Sequence, residues 1–301
     1  MNDTVRILVS GATGMQGGAV ARAAHAAGLE VTALVRDPVK ATLPAGVRLV
    51  QGDTEDPAAL ERACAGQTTV FSMQPTGRDG AEVRQATNLA RAAAAAGVRH
   101  LVHSSVSGTG WRVRHPDVDP GTTGYYWDQK EEAEAAVRSA GPTYTIVKPA
   151  FFLENLLPPK VGWMFPLLGA GELLTATAPT TPVGFVAAED FGAAVVAVAR
   201  EPERFAGAEI ELGGDAPTFP ELAGVLTEAT GRQVRATTLP AVEVDARLGR
   251  FSWSATQEWF DAVGYPARPA HAAEVGLSMS TTAKAWAERH REALRAVIGR
   301  S

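Results

Sequence analysis

Six short apolar runs rich in β-branched residues punctuate the first half of the chain. They are VRILVS (5–10), EVTALV (30–35), VRLVQG (47–52), TVFSM (69–73), HLVHSS (100–105) and YTIVK (144–148). Runs this short, apolar at consecutive positions, predict strands buried on both faces. Between them, alanine-rich stretches with helical spacing predict helices at about 16–27, 57–65, 81–96 and 126–140. The third of these stops at Gly97, the residue type that closes helices in the left-handed conformation. Strands and helices in alternation predict an α/β fold, a doubly wound parallel sheet assembled from βαβ units.

After Pro149 the pattern changes. The stretch AFFLENLLPPKVGWMFPLLGAGELL mixes proline, glycine and large apolar side chains without a clear period. A helix and then a strand follow within 183–215, and this segment is expected to return to the main sheet. Beyond it the pattern gives helices at about 219–230, 254–262 and 281–297, with a short strand VRATTL between the first two. No internal repeat is present. The expected organisation is a first domain over 1–150 and a smaller, mostly helical lobe over 151–301, partly interleaved with the first.

Composition narrows the function classes. Apolar residues make up 46% and charged residues 20% of 301, the balance of a soluble globular protein with a full core. The net charge is −5 and no run of Lys or Arg forms a stripe, which excludes direct nucleic-acid binding as the expected role. The single cysteine, Cys64, has no partner for an internal disulfide and sits in an amphipathic stretch, so a buried, inert thiol is expected. The N-terminus lacks the basic and apolar regions of a secretory signal. The longest apolar stretches are too short, or too broken by Pro and Gly, to span a bilayer, so no membrane association is expected and the cytoplasm is the default address. His100 and His103 share a strand, but no Cys or carboxylate cluster completes a metal site. No G-x-S-x-G elbow marks a hydrolase.

The most specific chemistry lies in ILVSGATGMQGGAVARAAHAAG. Gly11, Gly14 and Gly17 follow a strand and open a helix. One glycine makes the tight turn, one lets backbone approach a pyrophosphate, and one lets the helix pack on the sheet. The helix N-terminus then presents free N–H groups and a positive dipole end to phosphate. A nucleotide is the implied ligand. At the end of the second strand an NAD-binding fold usually carries Asp or Glu for the ribose hydroxyls. Here Arg36 stands first, with Lys40 one turn on, and a guanidinium suits a ribose 2′-phosphate. NADP(H) is therefore expected over NAD(H), with Asp37 keeping the NAD reading open. In QGDTED, Asp53 can accept from an adenine amino group, or the acidic cluster can cap the next helix.

Taken together, GATGMQGGAVARA, ALVRDP, QGDTED, GVRHLVHSSVSG, DQKEEAEAAVRSAGPTYTIVKPAFFLENLL and VAAEDFGAAV resemble the NmrA-like family, atypical members of the short-chain dehydrogenase/reductase superfamily. The resemblance runs to about residue 231 and continues more weakly through ATGRQVRATTLP. It implies a Rossmann fold binding NADP(H). The pyrophosphate would lie on Gly11, Thr13, Gly14, Met15, Gln16 and Gly17, the 2′-phosphate on Arg36 and Lys40, and adenine near Asp53. Ser72, Met73, Gln74, Ser104 and Ser105 would line the cofactor, with Lys130 on the nicotinamide ribose. The segment from Pro149 through Phe151, Phe152 and Asn155 would close over the nicotinamide. Some members resemble quinone or carbonyl reductases, while others bind NADP(H) without turnover and report to partner proteins. The fold and cofactor follow from the resemblance; the chemistry does not.

Tyr126 and Lys130, in TGYYWDQKEEAEAAVRSAG, are four apart on a predicted helix and share one face. Reduction of a ketone by hydride requires a proton for the developing alkoxide. In ordinary short-chain reductases a tyrosine gives that proton, and a lysine four residues on lowers its pKa and holds ribose hydroxyls. Many NmrA-like proteins keep the lysine and carry histidine or another residue where Tyr126 stands, so this tyrosine departs from the family pattern toward catalysis. The alternative makes Tyr126 an aromatic lining the pocket. The third partner, a serine, is offered by Ser105 and Ser107, although Val106 falls at the expected position. Phe151, Phe152, Trp163, Met164, Phe165 and Phe185 either line an apolar substrate pocket or pack in the core. The expected function is NADPH-dependent reduction of a small apolar carbonyl or quinone, with Tyr126 and Lys130 as catalytic residues. The alternative is a non-catalytic NADP(H)-binding regulator. A protein partner or a second copy of the chain stays open in either case.

Overall fold

The computed structural model describes residues 4–77, 79–119, 121–250 and 253–299. In the first half, strands β1 (Arg6–Val9), β2 (Glu30–Val35), β3 (Arg48–Gln51), β4 (Thr69–Ser72), β5 (His100–Ser104) and β6 (Thr143–Pro149) fall where the apolar runs predict them. Helices α1 (Met15–Ala26), α2 (Pro57–Cys64), α3 (Ala81–Ala95), α4 (Trp111–Arg114) and α5 (Gly124–Arg138) lie between. The second half adds β7 (Phe151–Phe152), α6 (Val161–Met164), β8 (Glu172–Thr175), β9 (Phe185–Val186), α7 (Ala188–Arg200) and β10 (Glu209–Leu212). Then come α8 (Phe219–Thr230), β11 (Arg235–Thr238), α9 (Ala241–Leu248), α10 (Ser254–Ala262), α11 (Pro269–Glu274), α12 (Ala283–Arg289) and α13 (Arg291–Val297).

The main sheet has the order β10-β6-β5-β4-β1-β2-β3, and its ladders are parallel. Consecutive apolar residues face opposite sides. Ile7, Val9, Phe71, Val102 and Val147 pack with Val20 of α1 and Phe191 of α7, whereas Leu8, Val70, Leu101 and Ile146 pack with Leu60 of α2, Leu89 of α3 and Val137 of α5. This two-sided burial explains the unbroken apolar runs. Cys64 lies in the second of these layers, and burial pushes its thiol up to about 11, as an inert thiol requires. Helix α7 closes tightly on α1 because Gly192 has no side chain; a Cβ there would stand 2.7 Å from the Ala19 carbonyl oxygen. Strand β1 pairs with both β2 and β4, so the strand order reverses beside it. In such sheets ligands bind outside the carboxyl ends of the strands at that reversal.

Within 183–215, β10 joins β6 of the main sheet in parallel, Ile210 opposite Val147. The expected helix 281–297 is instead two. Thr282 caps α12 through its side chain, and the backbone leaves helical geometry at His290, whose ring stacks on Trp286 at 4.6 Å. Strand β8, which pairs with β11, and helix α9 have no counterpart among the expected elements. Among the described residues no helix is long and apolar enough to cross a membrane.

Candidate active site

The glycine turn connects β1 to α1 in the expected way. Gly11 has φ +63°, a conformation that favours glycine, and its carbonyl accepts from Gly14 N–H at 2.8 Å. Gly17 lies so close to the turn that a Cβ would stand 2.4 Å from the Gly11 oxygen. Helix α1 follows its N-cap residue Gly14 without a side-chain cap and without an acidic residue in its first turn. Its first N–H groups are therefore open to an anion. Met73 bonds Ser10 through its N–H at 2.8 Å, and its methyl occupies the space a Cβ on Gly11 would need. Gln16 accepts from Ser104 at 2.8 Å, which ties the end of β5 to the first turn of α1.

At the other side of the turn, Arg36 is exposed directly after β2 and makes no ion pair among the described residues. Lys40 is bound to Asp37 at 2.9 Å, and this contact, first among several, lowers the Asp37 pKa. Asp53 is exposed after β3 and accepts from Glu55 N–H at 2.8 Å. The cap of α2 belongs to Asp56, which accepts from Ala59 N–H at 3.0 Å.

The ends of β4 and β5 carry a buried polar cluster. Ser72 is hydrogen-bonded to Gln74 at 3.1 Å and to Nδ1 of His103 at 3.2 Å. The second polar atoms of both partners, Gln74 Oε1 and His103 Nε2, are buried without a protein partner. Burial pushes the His103 pKa down to about 3, with Lys130 and Arg138 adding to the effect, so the ring is neutral at physiological pH.

Tyr126 and Lys130 both project from α5, but the ammonium does not act on the phenol as the short-chain pattern implies. Lys130 Nζ lies over the Tyr126 ring, 5.6 Å from its centroid, and donates to Glu82 of α3 at 2.5 Å. The phenol pKa is raised, first by burial and then by the Glu82 charge. The Glu82 carboxylate, paired with the lysine, adds a negative charge of its own near the phenol. Glu82 Oε2 is also buried without a partner.

The serines do not complete a triad here. Ser105 donates to buried Glu134 at 2.6 Å, and Ser107 accepts from Ala267 N–H at 3.1 Å. Val106 between them is buried. The rings expected over the nicotinamide are largely engaged in packing. Phe151 stacks on Trp253 at 5.0 Å and meets Phe165 and Phe185 edge-on, while Phe152 meets Phe191. Pro149 ends β6 and accepts from Ser107 N–H, and Asn155 is buried in the turn that follows β7. Trp163 is 49% exposed, and Met164 accepts from Trp253 through its carbonyl.

Three functional candidates escaped the sequence reading: Glu82, Glu134, and His103 as a polar partner of Ser72. An acidic residue in the first turn of a helix is ordinary by propensity, so Glu82 carried no signal of its own. A groove of about 700 Å³ runs from Thr13, Gly14 and Met15 of the turn along α1 past Arg22, with Glu154, Lys160 and Ala188 on its other lining. It contains neither Tyr126 nor Lys130. Among the described residues no group of three or more His, Cys, Asp or Glu is placed to hold a metal ion.

A parallel sheet with a glycine turn at its strand reversal, an uncapped helix behind the turn and a basic residue after β2 defines a dinucleotide-binding protein. The chain belongs to the NmrA-like family, whose profile matches residues 3–286. It is 36% identical over 232 residues to a (4-alkanoyl-5-oxo-2,5-dihydrofuran-3-yl)methyl phosphate reductase of Streptomyces griseus, covering 76% of this chain and 75% of that one. It is 34% identical over 236 residues to an NAD(P)H azoreductase of Xenophilus azovorans, with the same coverage. Against quinone oxidoreductase 2 of Escherichia coli it is 28% identical over 252 residues, 80% of each chain. Among solved structures, triphenylmethane reductase of a Citrobacter species, complexed with NADP(H), superposes with a TM-score of 0.74 at 22% identity, over 95% of this chain and 99% of that one. The negative transcriptional regulator NmrA, complexed with NAD, gives 0.72 at 21% identity over 96% of each. Both likenesses concern the fold.

Proposed function

We propose that the chain is an NAD(P)H-dependent reductase that favours NADPH and acts on a small apolar carbonyl or quinone. The observation that carries this reading is the placement of Tyr126 and Lys130 on one face of α5, with the Lys130 charge reaching His103 in the polar cluster at the strand ends. The reductase and oxidoreductase relatives support its coarse part. The residues fit the cofactor: the Gly11–Gly17 approach leaves no room for side chains, α1 has an open N-terminus, and Gln74 Oε1 and His103 Nε2 are buried without partners.

When bound, NADPH supplies a hydride to an electron-poor atom of the substrate. The turn from Gly11 to Gly17 holds the pyrophosphate against the N–H groups of α1. Arg36 takes the 2′-phosphate through its planar fork. Lys130 donates to the nicotinamide ribose hydroxyls. The Tyr126 phenol, its pKa raised by burial and by Glu82, stays protonated throughout the working range and holds the proton that a carbonyl substrate needs. A quinone substrate relaxes that need.

Tyr126→Phe tests the chemistry. Turnover of an aromatic ketone is expected to fall by about 10²–10⁴ while NADPH affinity changes little. Unchanged turnover would remove Tyr126 from the mechanism. A second reading, a non-catalytic NADP(H)-binding regulator, is favoured by the engagement of Lys130 with Glu82 and of both serines elsewhere. Tight NADPH binding without NADPH oxidation across a panel of quinones and aromatic ketones would select it.

A further inference from the structure

We propose that Glu82 is a positioning residue of this cleft, holding the Lys130 ammonium in place for the cofactor's ribose. The inference rests on the reading of Lys130 as a cofactor ligand. Glu82 sits in the first turn of α3, only 1% exposed, and its Oε1 accepts from Lys130 Nζ at 2.5 Å. The backbone just before it is anchored to α5, because Gly80 N–H donates to the Tyr125 hydroxyl at 2.9 Å. Both ends of the ion pair are thus fixed between the same two helices.

The pair is more than a packing device. Desolvating two charges is costly, and apolar side chains of similar volume would join α3 to α5 at least as well. This carboxylate is also half used: Oε2 is buried with no partner. An ammonium has three donors. With one on Glu82, two remain for ribose hydroxyls, and the anchor fixes their direction. Lys130 is thereby held for its ligand before the ligand arrives, which reduces the ordering cost of binding.

The other charged or titratable groups near the pair come from several elements. Tyr126 shares α5, and the charges of Lys130 and Arg138 both reach His103 of β5. Tyr265 is buried close enough to interact with Tyr126 and with Glu211 of β10. Of these groups, Tyr126 reports directly on Glu82, because the carboxylate raises the phenol's pKa after the larger effect of burial.

Glu82→Gln keeps the shape and removes the charge. In cofactor-free protein, the near-ultraviolet phenolate signal of Tyr126, identified as the part that disappears in Glu82→Gln/Tyr126→Phe, is expected to set in at lower pH in this variant than in wild type, because the Glu82 charge is gone while burial remains. NADPH affinity, followed by nicotinamide fluorescence, is expected to weaken about tenfold. Glu82→Asp retains the charge but draws it back; it should leave the Tyr126 titration close to that of wild type and bind NADPH with an intermediate loss of about threefold. An unaltered Tyr126 titration in Glu82→Gln, or unaltered NADPH affinity, overturns the proposal. Should Glu82→Gln fail to fold, wild-type affinity in Glu82→Asp overturns it equally. Neither readout uses turnover, so loss of the reductase reading leaves them intact. Unchanged NADPH affinity in Lys130→Met would instead remove the ligand reading beneath both.

Discussion

The hydroxyl of Ser105 donates to the buried carboxylate of Glu134 at 2.6 Å. Thr109 donates to the same oxygen at 2.7 Å, and Arg138 binds the other at 2.7 Å. Lys148 and Glu209 extend the network to the edge strand β10. A serine so committed supports the frame of the site, with its one O–H directed at Glu134. Ser105→Ala is expected to lower stability by about 1.5–3 kcal/mol, the cost of a lost hydrogen bond to a charged group. Turnover per folded molecule should stay within about threefold, since such a change converts to well under 1 kcal/mol of transition-state binding. Urea unfolding and steady-state kinetics on the same preparation decide this; a collapse of turnover at unchanged stability would return Ser105 to the chemistry.

The sheet was legible because burial on both faces leaves an unbroken apolar run, as in Ile7-Leu8-Val9, which divides between two cores. The glycine turn was legible for a similar reason: close approach at Gly17 tolerates one residue type. Spacing alone put Tyr126 and Lys130 on one helix face. It could not supply Glu82, 48 positions away and joined to Lys130 only by the packing of α3 against α5. Nor could it divide Phe151 and Phe152 between pocket and core, because both settings call for the same apolar side chain. Strand β8 was hidden by its surroundings: ELLT is a short run flanked by glycine and proline-rich sequence, and its partner β11 lies some sixty residues on.

Cofactor choice turns on Arg36. Its neighbour Lys40 is already paired with Asp37, whereas Arg36 stands exposed after β2 with no ion pair among the described residues. A charge-assisted contact to a 2′-phosphate contributes about 1.5–3 kcal/mol, so Arg36→Ala should weaken NADPH binding roughly ten- to hundredfold. NADH lacks that phosphate, and its affinity should be nearly unaffected. Titration of both cofactors checks this, and the NADPH loss should shrink as salt is raised, because the site is exposed. Equal losses for the two cofactors would place the 2′-phosphate elsewhere.

Acid stability follows from two buried histidines. Burial lowers the His103 pKa to about 3, with Lys130 and Arg138 contributing, and burial lowers that of His100 to about 4, against 6.5 for the free side chain. Because the folded values lie below the unfolded one, the unfolded chain takes up more protons as the solution is acidified. The stability gained by keeping both rings neutral is complete above pH 6.5 and is lost progressively as pH falls toward the folded values. Each histidine contributes a slope of about 1.4 kcal/mol per pH unit in that window. Carboxylates held low by ion pairs, such as Glu209, add their loss only nearer the ordinary carboxylate range. Urea unfolding at about pH 7, 6 and 5 should therefore give falling stabilities, and His103→Gln should flatten the slope by about half. The glutamine amide can still bond Ser72, so the flattening reports the lost proton site. An unchanged slope would mean that His103 is charged in the fold, and with it that a second cation stands beside Lys130.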